Sequence, residues 1–342
     1  MDQAPAPRNL VVLCDGTNNN LTGGRKDTHV VLLAELLAAH PAPGQVVYYD
    51  PGVGNAASLP GASTWDKIKR QGERVAGLAQ GRGVFENIAE AYLFLMRQWR
   101  AGDRIFLFGF SRGAFTARSL GGLVNQFGLL PAHLESMLPT LLHIYFSDPR
   151  GGQRKAAAEQ VSRLFAAGAA RAVPLHFVGV WDTVAAVGMP PFSLRISAKP
   201  DLKGKRFVHV RQALALDEHR AQFKPRVYAE ENGPFDTGLS APDGGGPLKG
   251  SIDQRWFRGA HGDAGGGYLP EESALGQAPL QWLVSEAVRQ GLMLQAHGEP
   301  LDTEARVAEA LRTLREAGGV PPVGREPVAH DQTHANALWA LT

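Results

Sequence analysis

RIFLFGFSRGAFTARSLGG, residues 104–122, decides how the rest of the chain is read. After Arg104 its first residues are apolar and aromatic, the composition of a buried strand. From Arg112 to Leu129 apolar residues return at helical spacing. Between the two, Ser111 stands in G-x-S-x-G, with Gly109 and Gly113 on either side. A serine between strand and helix sits on a sharp turn, and small flanking residues spare that turn a collision as the hydroxyl leaves the sheet edge. The pentapeptide is common by chance, so its specificity rests on the strand before it and the helix after it. A glycine-rich helix start capped by a serine is the competing explanation.

The same alternation extends outward. NLVVLC (9–14) is a short buried strand that ends in the turn formers DGTNNN. Asp27–His40 has the apolar spacing of a helix, and QVVYYDPGVG (45–54) is a strand and turn. Val84–Trp99 is a second helix; LHFVGVWDTV (175–184) is a fourth strand, and RFVHVRQALAL (206–216) begins as a fifth. Strands separated by helices define an α/β fold, a mostly parallel sheet with helices on both faces. The expected organisation is a single domain over 1–342, with a core at about 9–290. Irregular insertions fall at 55–80, 185–205 and 230–250, and an extension at 296–342 carries an amphipathic helix from Glu304 to Glu316.

Composition narrows the function classes. The 342 residues are 44% hydrophobic and 20% charged, ordinary globular values. The net charge is +2 and the basic residues are scattered, so there is no nucleic-acid footprint. One cysteine, Cys14, excludes an internal disulfide. MDQAPAPRN has no basic region followed by an apolar stretch, and no run is long and apolar enough to span a bilayer. The chain is therefore expected to be made in the cytoplasm, with export lacking a cleavable signal and transient membrane-surface contact both open.

A serine hydroxyl becomes a nucleophile only when an oriented base takes its proton. Asp182 directly follows the apolar run FVGVW, the strand-end position where α/β sheets place reactive groups. His261 lies in the polar, glycine-rich RWFRGAHGDAGGGY (255–268), and the order Ser, Asp, His is that of α/β-hydrolases. His330 in AHDQTH is the rival base. An oxyanion needs backbone donors: Arg112 at the helix start supplies one, and Gly16 or Thr17 in the DGTN turn a second. Asp15 would hold that turn, and Asp263 supports the histidine loop. Arg118 is expected to anchor neighbouring loops in preference to contacting substrate, and Asp217, Glu218 and Arg220 are either a charged brace near the site or a solvated charge cluster. A divalent cation on Asp15, His261 and Asp263 is the metal-dependent alternative; the serine chemistry needs neither metal nor organic cofactor.

LCDGTNNN, YYDPGVG, GDRIFLFGFSRGAFTARSLGGLVNQFGLL, VWDTV, LALDEHRAQF and RWFRGAHGDAGGGY, in this order, resemble the catalytic domain of the type VI secretion phospholipase effectors and their uncharacterised relatives, a branch of the α/β-hydrolases. The resemblance covers about residues 9–290. It implies a bacterial serine esterase or lipase acting on phospholipid esters, with Ser111 as nucleophile, Asp182 as acid and His261 as base. A secretion carrier or an immunity protein would be its partner. Two further hypotheses stand beside it. A phosphatase-like use of CDGTN lacks the usual aspartate two places earlier, where Leu13 stands, and a binding protein on a degenerate hydrolase fold would need no triad.

Overall fold

The computed structural model describes residues 7–16, 26–52, 82–146, 153–184, 202, 205–220, 223–240, 246–294, 302–317 and 329–330. The expected insertion at 55–80 lies outside them, as does that at 185–205 apart from Leu202 and Lys205. Seven strands make one sheet: β1 (Asn9–Cys14), β2 (Gln45–Asp50), β3 (Arg104–Phe110), β4 (Leu175–Trp181), β5 (Phe207–Ala215), β6 (Gly233–Ser240) and β7 (Pro247–Phe257). Their order is β2-β1-β3-β4-β5-β7-β6. Every neighbouring pair is parallel except β6 with β7. The helices are α1 (His29–Ala39), α2 (Arg82–Gln98), α3 (Arg112–Phe127), α4 (Leu138–Phe146), α5 (Gln153–Phe165), α6 (His261–Gly265), α7 (Gln277–Arg289) and α8 (Thr303–Ala317).

Strand residues point alternately to the two faces, so a strand covered on both reads as a continuous apolar run. In β1, Leu10, Val12 and Cys14 join the core under α2, α3, α4 and α5, while Val11 and Leu13 join the core under α1, α7 and α8. Complete burial of a side chain such as Ile88 or Leu33 contributes about 1.5–3 kcal/mol. Thr28 caps α1 by accepting the N–H of Val31 at 3.2 Å. The helix expected in the C-terminal extension is α8, whose Val307 and Leu311 are buried in the same core as α7.

The expectation of an irregular insertion at 230–250 is corrected: apart from 241–245, which are not described, the segment folds as β6 and the start of β7, an antiparallel hairpin at the sheet edge. Its Gly and Pro residues obscured the alternation. An edge strand tolerates Pro234, and the register shift between Asp236 and Leu239 sits at Gly238, whose φ is +67°. A second correction concerns His261, which opens helix α6 and is buried, not held in an open polar loop. The helices α4, α5 and α7 had no counterpart in the sequence reading; LPTLLHIYF in α4 is too uniformly apolar to show a helical period.

One buried carboxyl in this framework titrates near neutrality. Asp50, 3% exposed at the end of β2, is pushed up to about 7 by burial, with Glu90 and Asp15 adding to the rise and the Gly52 N–H opposing it. Its Oδ1 takes the Gly52 N–H and the Asn87 amide, while Oδ2 has no partner. Because the folded carboxyl keeps its proton to higher pH than the unfolded one, its contribution to stability is lost as pH rises through about 7. Asp50→Asn should therefore raise the melting temperature at pH 8, and the gain should shrink as pH falls toward 4. A difference between the two chains that does not vary with pH in thermal melts would refute this account.

Candidate active site

The site forms at the C-terminal ends of the parallel strands. Ser111 turns the chain from β3 into α3 with φ 57° and ψ −122°. The helix begins at once because the backbones nearly touch. A Cβ on Gly109 would lie 2.5 Å from the carbonyl oxygen of Gly113, and one on Gly113 would lie 2.1 Å from that of Cys14. The two glycines are thus required by contact, one within the turn and one against the end of β1. Asp182 ends β4 with φ 35°, and these two are the positive-φ residues other than glycine among the described residues. Such a conformation costs on the order of 1–3 kcal/mol and persists where the surroundings enforce it.

Here the enforcement is a set of cross-links. Ser111 N–H donates to Trp181 O at 3.2 Å, and Ser111 O accepts the Val184 N–H at 3.2 Å. Asp182 N–H donates to Ala213 O at 2.8 Å, and Asp182 Oδ1 accepts the Ala215 N–H at 3.2 Å. The other carboxylate oxygen, Oδ2, lies 2.6 Å from His261 Nδ1, and His261 Nε2 lies 2.9 Å from Ser111 Oγ. Asp182 is 1% and His261 7% exposed. Phe110 stacks on the imidazole at 4.6 Å between centroids, and Phe223 meets it edge-on at 4.9 Å. A buried imidazole between one carboxylate and one hydroxyl is poised to accept the hydroxyl proton and to have its charged form stabilised.

The segment after β5 holds the histidine arm. Asp217 exchanges bonds with Gly259: its N–H donates to Gly259 O at 3.0 Å, and its Oδ2 accepts the Gly259 N–H at 2.6 Å. Glu218 Oε2 accepts the His261 N–H at 3.2 Å and pairs with Arg220 at 2.7 Å, whose guanidinium lies over the Phe223 ring. Burial raises the Glu218 pKa, but its bonds to Arg220 and to the His261 N–H outweigh burial and keep it below the usual carboxylate range. Arg118 Nη1 donates to Thr183 Oγ1, Gln212 Oε1 and Arg226 O and stacks over Tyr228, tying α3 to the turn after Asp182.

The remaining candidates fall elsewhere. His330 Nδ1 lies 2.7 Å from Asp263 Oδ1 and its ring stacks on Tyr268, so this imidazole faces Asp263 and not Ser111. Asp263 also accepts the Ala260 N–H at 2.9 Å, holding the start of α6. Asp15 takes the Thr28 hydroxyl on Oδ1 and the Tyr49 hydroxyl on Oδ2, both at 2.8 Å. The Gly16 N–H, one of the expected oxyanion donors, points instead at Asp15 Oδ1 at 2.6 Å; Thr17 lies outside the described residues. Arg112 begins α3, where the first N–H groups have no intrahelical acceptor. Asp15, His261 and Asp263 each have other partners, and the described residues contain no group of three His, Cys, Asp or Glu able to hold a metal. Leu13, at the position where a phosphatase would carry its aspartate, is buried in β1.

Sequence reasoning missed the aromatic clamp of Phe110 and Phe223, and it missed His29. That histidine packs against Trp181 at 5.6 Å, and burial lowers it to about 3, which keeps it neutral. Phe110 and Phe223 lie within quoted motifs, but their packing on His261, like that of His29 on Trp181, joins residues distant in sequence.

Comparison with known proteins places these features in a family. The model described as T6SS phospholipase effector Tle1-like, catalytic domain, matches residues 8–286, and the chain belongs to that family. An uncharacterized protein of Saccharomyces cerevisiae is 34% identical over 229 residues, 64% of this chain and 32% of the yeast protein. A crystal structure of an uncharacterized protein from Pseudomonas aeruginosa aligns at 18% identity and TM-score 0.46, over 93% of this chain and 51% of that one. The structure of the Tle1 effector bound to the VgrG spike of the type 6 secretion system aligns at 19% identity and TM-score 0.35, over 79% of this chain and 53% of that one. The chain thus spans about a third of the yeast relative and about half of each aligned structure.

The glycine contacts are directly testable. Gly113→Ala should cost more than about 3 kcal/mol, beyond ordinary overpacking, because its Cβ meets main-chain atoms that cannot rotate away. Gly168→Ala, at φ +52° with nothing within 4 Å, should cost only the left-handed backbone penalty of about 1–2 kcal/mol. Comparable losses for the two in urea melts would show that the elbow does not depend on this approach.

Proposed function

We propose that this member of the Tle1-like catalytic-domain family is a serine hydrolase that cleaves carboxylic esters, with phospholipids as the substrate class. The observation that carries the reading is the continuous path from Ser111 Oγ through His261 to Asp182, with contacts of 2.9 and 2.6 Å, built on the two strained turns. Family membership supports a lipid ester as substrate.

In this mechanism His261 Nε2 takes the Ser111 proton as Oγ attacks the ester carbonyl carbon, and Asp182 stabilises the imidazolium. The carbonyl π electrons move to oxygen. The Arg112 N–H, at the positive end of α3, is the first donor to that oxyanion. A second donor would have to come from the turn after β1, where the Gly16 N–H must first leave Asp15 Oδ1. The tetrahedral intermediate collapses, and His261 returns the proton to the departing alcohol, leaving an acyl group on Ser111. Water, deprotonated by His261, attacks the acyl carbon, and the second tetrahedral intermediate collapses to the acid as His261 returns the proton to the departing Ser111 Oγ. No step calls on a metal or an organic cofactor. Asp263 and His330 stand outside this path: Asp263 holds the start of the helix that carries His261, and His330 bonds to Asp263.

Family membership also supports export by type VI secretion machinery, with a secretion carrier and an immunity protein as the partners to seek. Among the described residues no helix is long and apolar enough to cross a membrane.

The test is labelling by a fluorophosphonate, read by intact mass, together with turnover of a short-chain ester. Wild type should gain one adduct and Ser111→Ala none. Asp182→Asn should lower kcat by about 10⁴-fold, and His261→Ala by at least about 10³-fold. His330→Ala should stay within about threefold of wild type, a surface-like effect. Undiminished labelling of Ser111→Ala would refute the nucleophile, and loss of turnover in His330→Ala alone would move the base.

A further inference from the structure

Four large apolar side chains stand exposed among the described residues: Val47, Leu164, Leu216 and Trp256. Two of them share one place. Trp256 of β7 is in register with Leu214 of β5, and Leu216 extends β5 by donating its N–H to Phe257 O at 2.8 Å. In-register parallel neighbours point to the same face and side chains alternate, so Leu214, Leu216 and Trp256 project from one face. A diagonal pair of this kind is within reach of an aromatic ring. Leu214 is fully buried, but Leu216 is 54% and Trp256 49% exposed, at the strand ends where the sheet runs out.

That rim adjoins the triad. The residue after Leu216 is Asp217, which binds Gly259, and the next is Glu218, which holds the His261 N–H. Exposed basic side chains lie in the segments beside it. Arg258, exposed, follows Phe257 and is next in register opposite Leu216. Lys224, exposed, follows the Phe223 that packs on His261. Arg255, also exposed, flanks Trp256 from the other face, beside Asp253 and over Trp282. The carboxylates of the same segments are engaged: Asp217 by Gly259, Glu218 by Arg220 and Asp253 by Arg255. Glu231, also exposed, precedes Asn232, which bonds to Gln254.

We propose that Leu216 and Trp256, with Arg258 and Lys224 around them, are the surface by which the chain settles on a lipid layer carrying anionic headgroups. An indole is at home at the boundary between headgroups and acyl chains, and basic side chains beside it are drawn to anionic lipid. Two side chains are far too small a patch for a stable protein interface, which needs on the order of 800 Å² on each side, whereas a fluid lipid surface demands no matching shape. The patch runs directly into Asp217 and Glu218, which hold the arm that carries His261. The inference takes its substrate from the hydrolase reading above, but binding to lipid can be measured without catalysis.

The full chain carrying Ser111→Ala should sediment with vesicles of phosphatidylglycerol and phosphatidylethanolamine, and less with phosphatidylcholine alone. Adding Leu216→Ser and Trp256→Ser should reduce the vesicle-bound partition about tenfold, while Leu164→Ser, 62% exposed on α5, should leave it unchanged. With Ser111 restored, the double variant should hydrolyse vesicle phospholipid about tenfold more slowly and a soluble short-chain ester within about twofold of the parent rate. Thermal melts establish that the double variant is folded. Unchanged vesicle binding in the folded double variant, or an equal loss on vesicle and soluble ester, overturns the proposal. If vesicle binding depends on Leu216 and Trp256 but no ester is cleaved, the surface stands and the hydrolase reading falls.

Discussion

Three neighbouring turns in this chain are packed backbone against backbone, and the geometry of the whole site follows from that. A Cβ on Gly52, after β2, would lie 2.1 Å from Gly16 O, and a Cβ on Gly113, at the start of α3, would lie 2.1 Å from Cys14 O. The turns after β2, β1 and β3 thus lean on one another in the order of the strands. No side chain could occupy these junctions, so the positions accept only glycine. The reward is a helix that starts directly after Ser111, with its positive end and its first N–H groups facing the hydroxyl.

Around that elbow the polar groups are few and nearly dry. Asp182 reaches His261 from a turn fixed by β5, while Glu218 holds the main-chain N–H of His261 and Phe110 and Phe223 pack against its ring. In such surroundings a carboxylate facing an imidazolium is worth more than in water, and its direction is set before any substrate arrives. The paired Glu218 and Arg220 lie on the far side of the histidine backbone, so their charges cancel close to the site while their bonds still hold it.

The central sheet was legible in the sequence because its strands are buried on both faces and read as unbroken apolar runs; NLVVLC, RIFLFGF and LHFVGVW each mark a strand within a residue or two. The edge hairpin was not, since GPFDTGLS alternates weakly and its glycines and prolines look like a loop until the edge position explains them. For the site, Ser111 and Asp182 stand out at the ends of apolar strand runs, while His261 was one of two candidate bases beside His330. The setting of His261 could not be read, because helix α6 is five residues long and depends on Asp263 closing its first turn. Nor could the commitment of the Gly16 N–H, which is settled by the neighbouring Asp15 carboxylate and by Thr28 and Tyr49 on either side of it.

Ser111 and the turn after β4 are bonded to each other in both directions, through Trp181 O and the Val184 N–H, whereas the imidazole arrives on a separate arm that follows β7. Ser111 and Asp182 are therefore tied to each other directly, whereas His261 keeps its place through the bonds that Asp217 and Glu218 make to Gly259 and to its own N–H. An agent that pries the arm from its seat at Asp217 and Glu218 would silence the hydroxyl while leaving both strained turns in place, which makes the arm the natural point of control for any inhibitor that works without entering the mouth of the site.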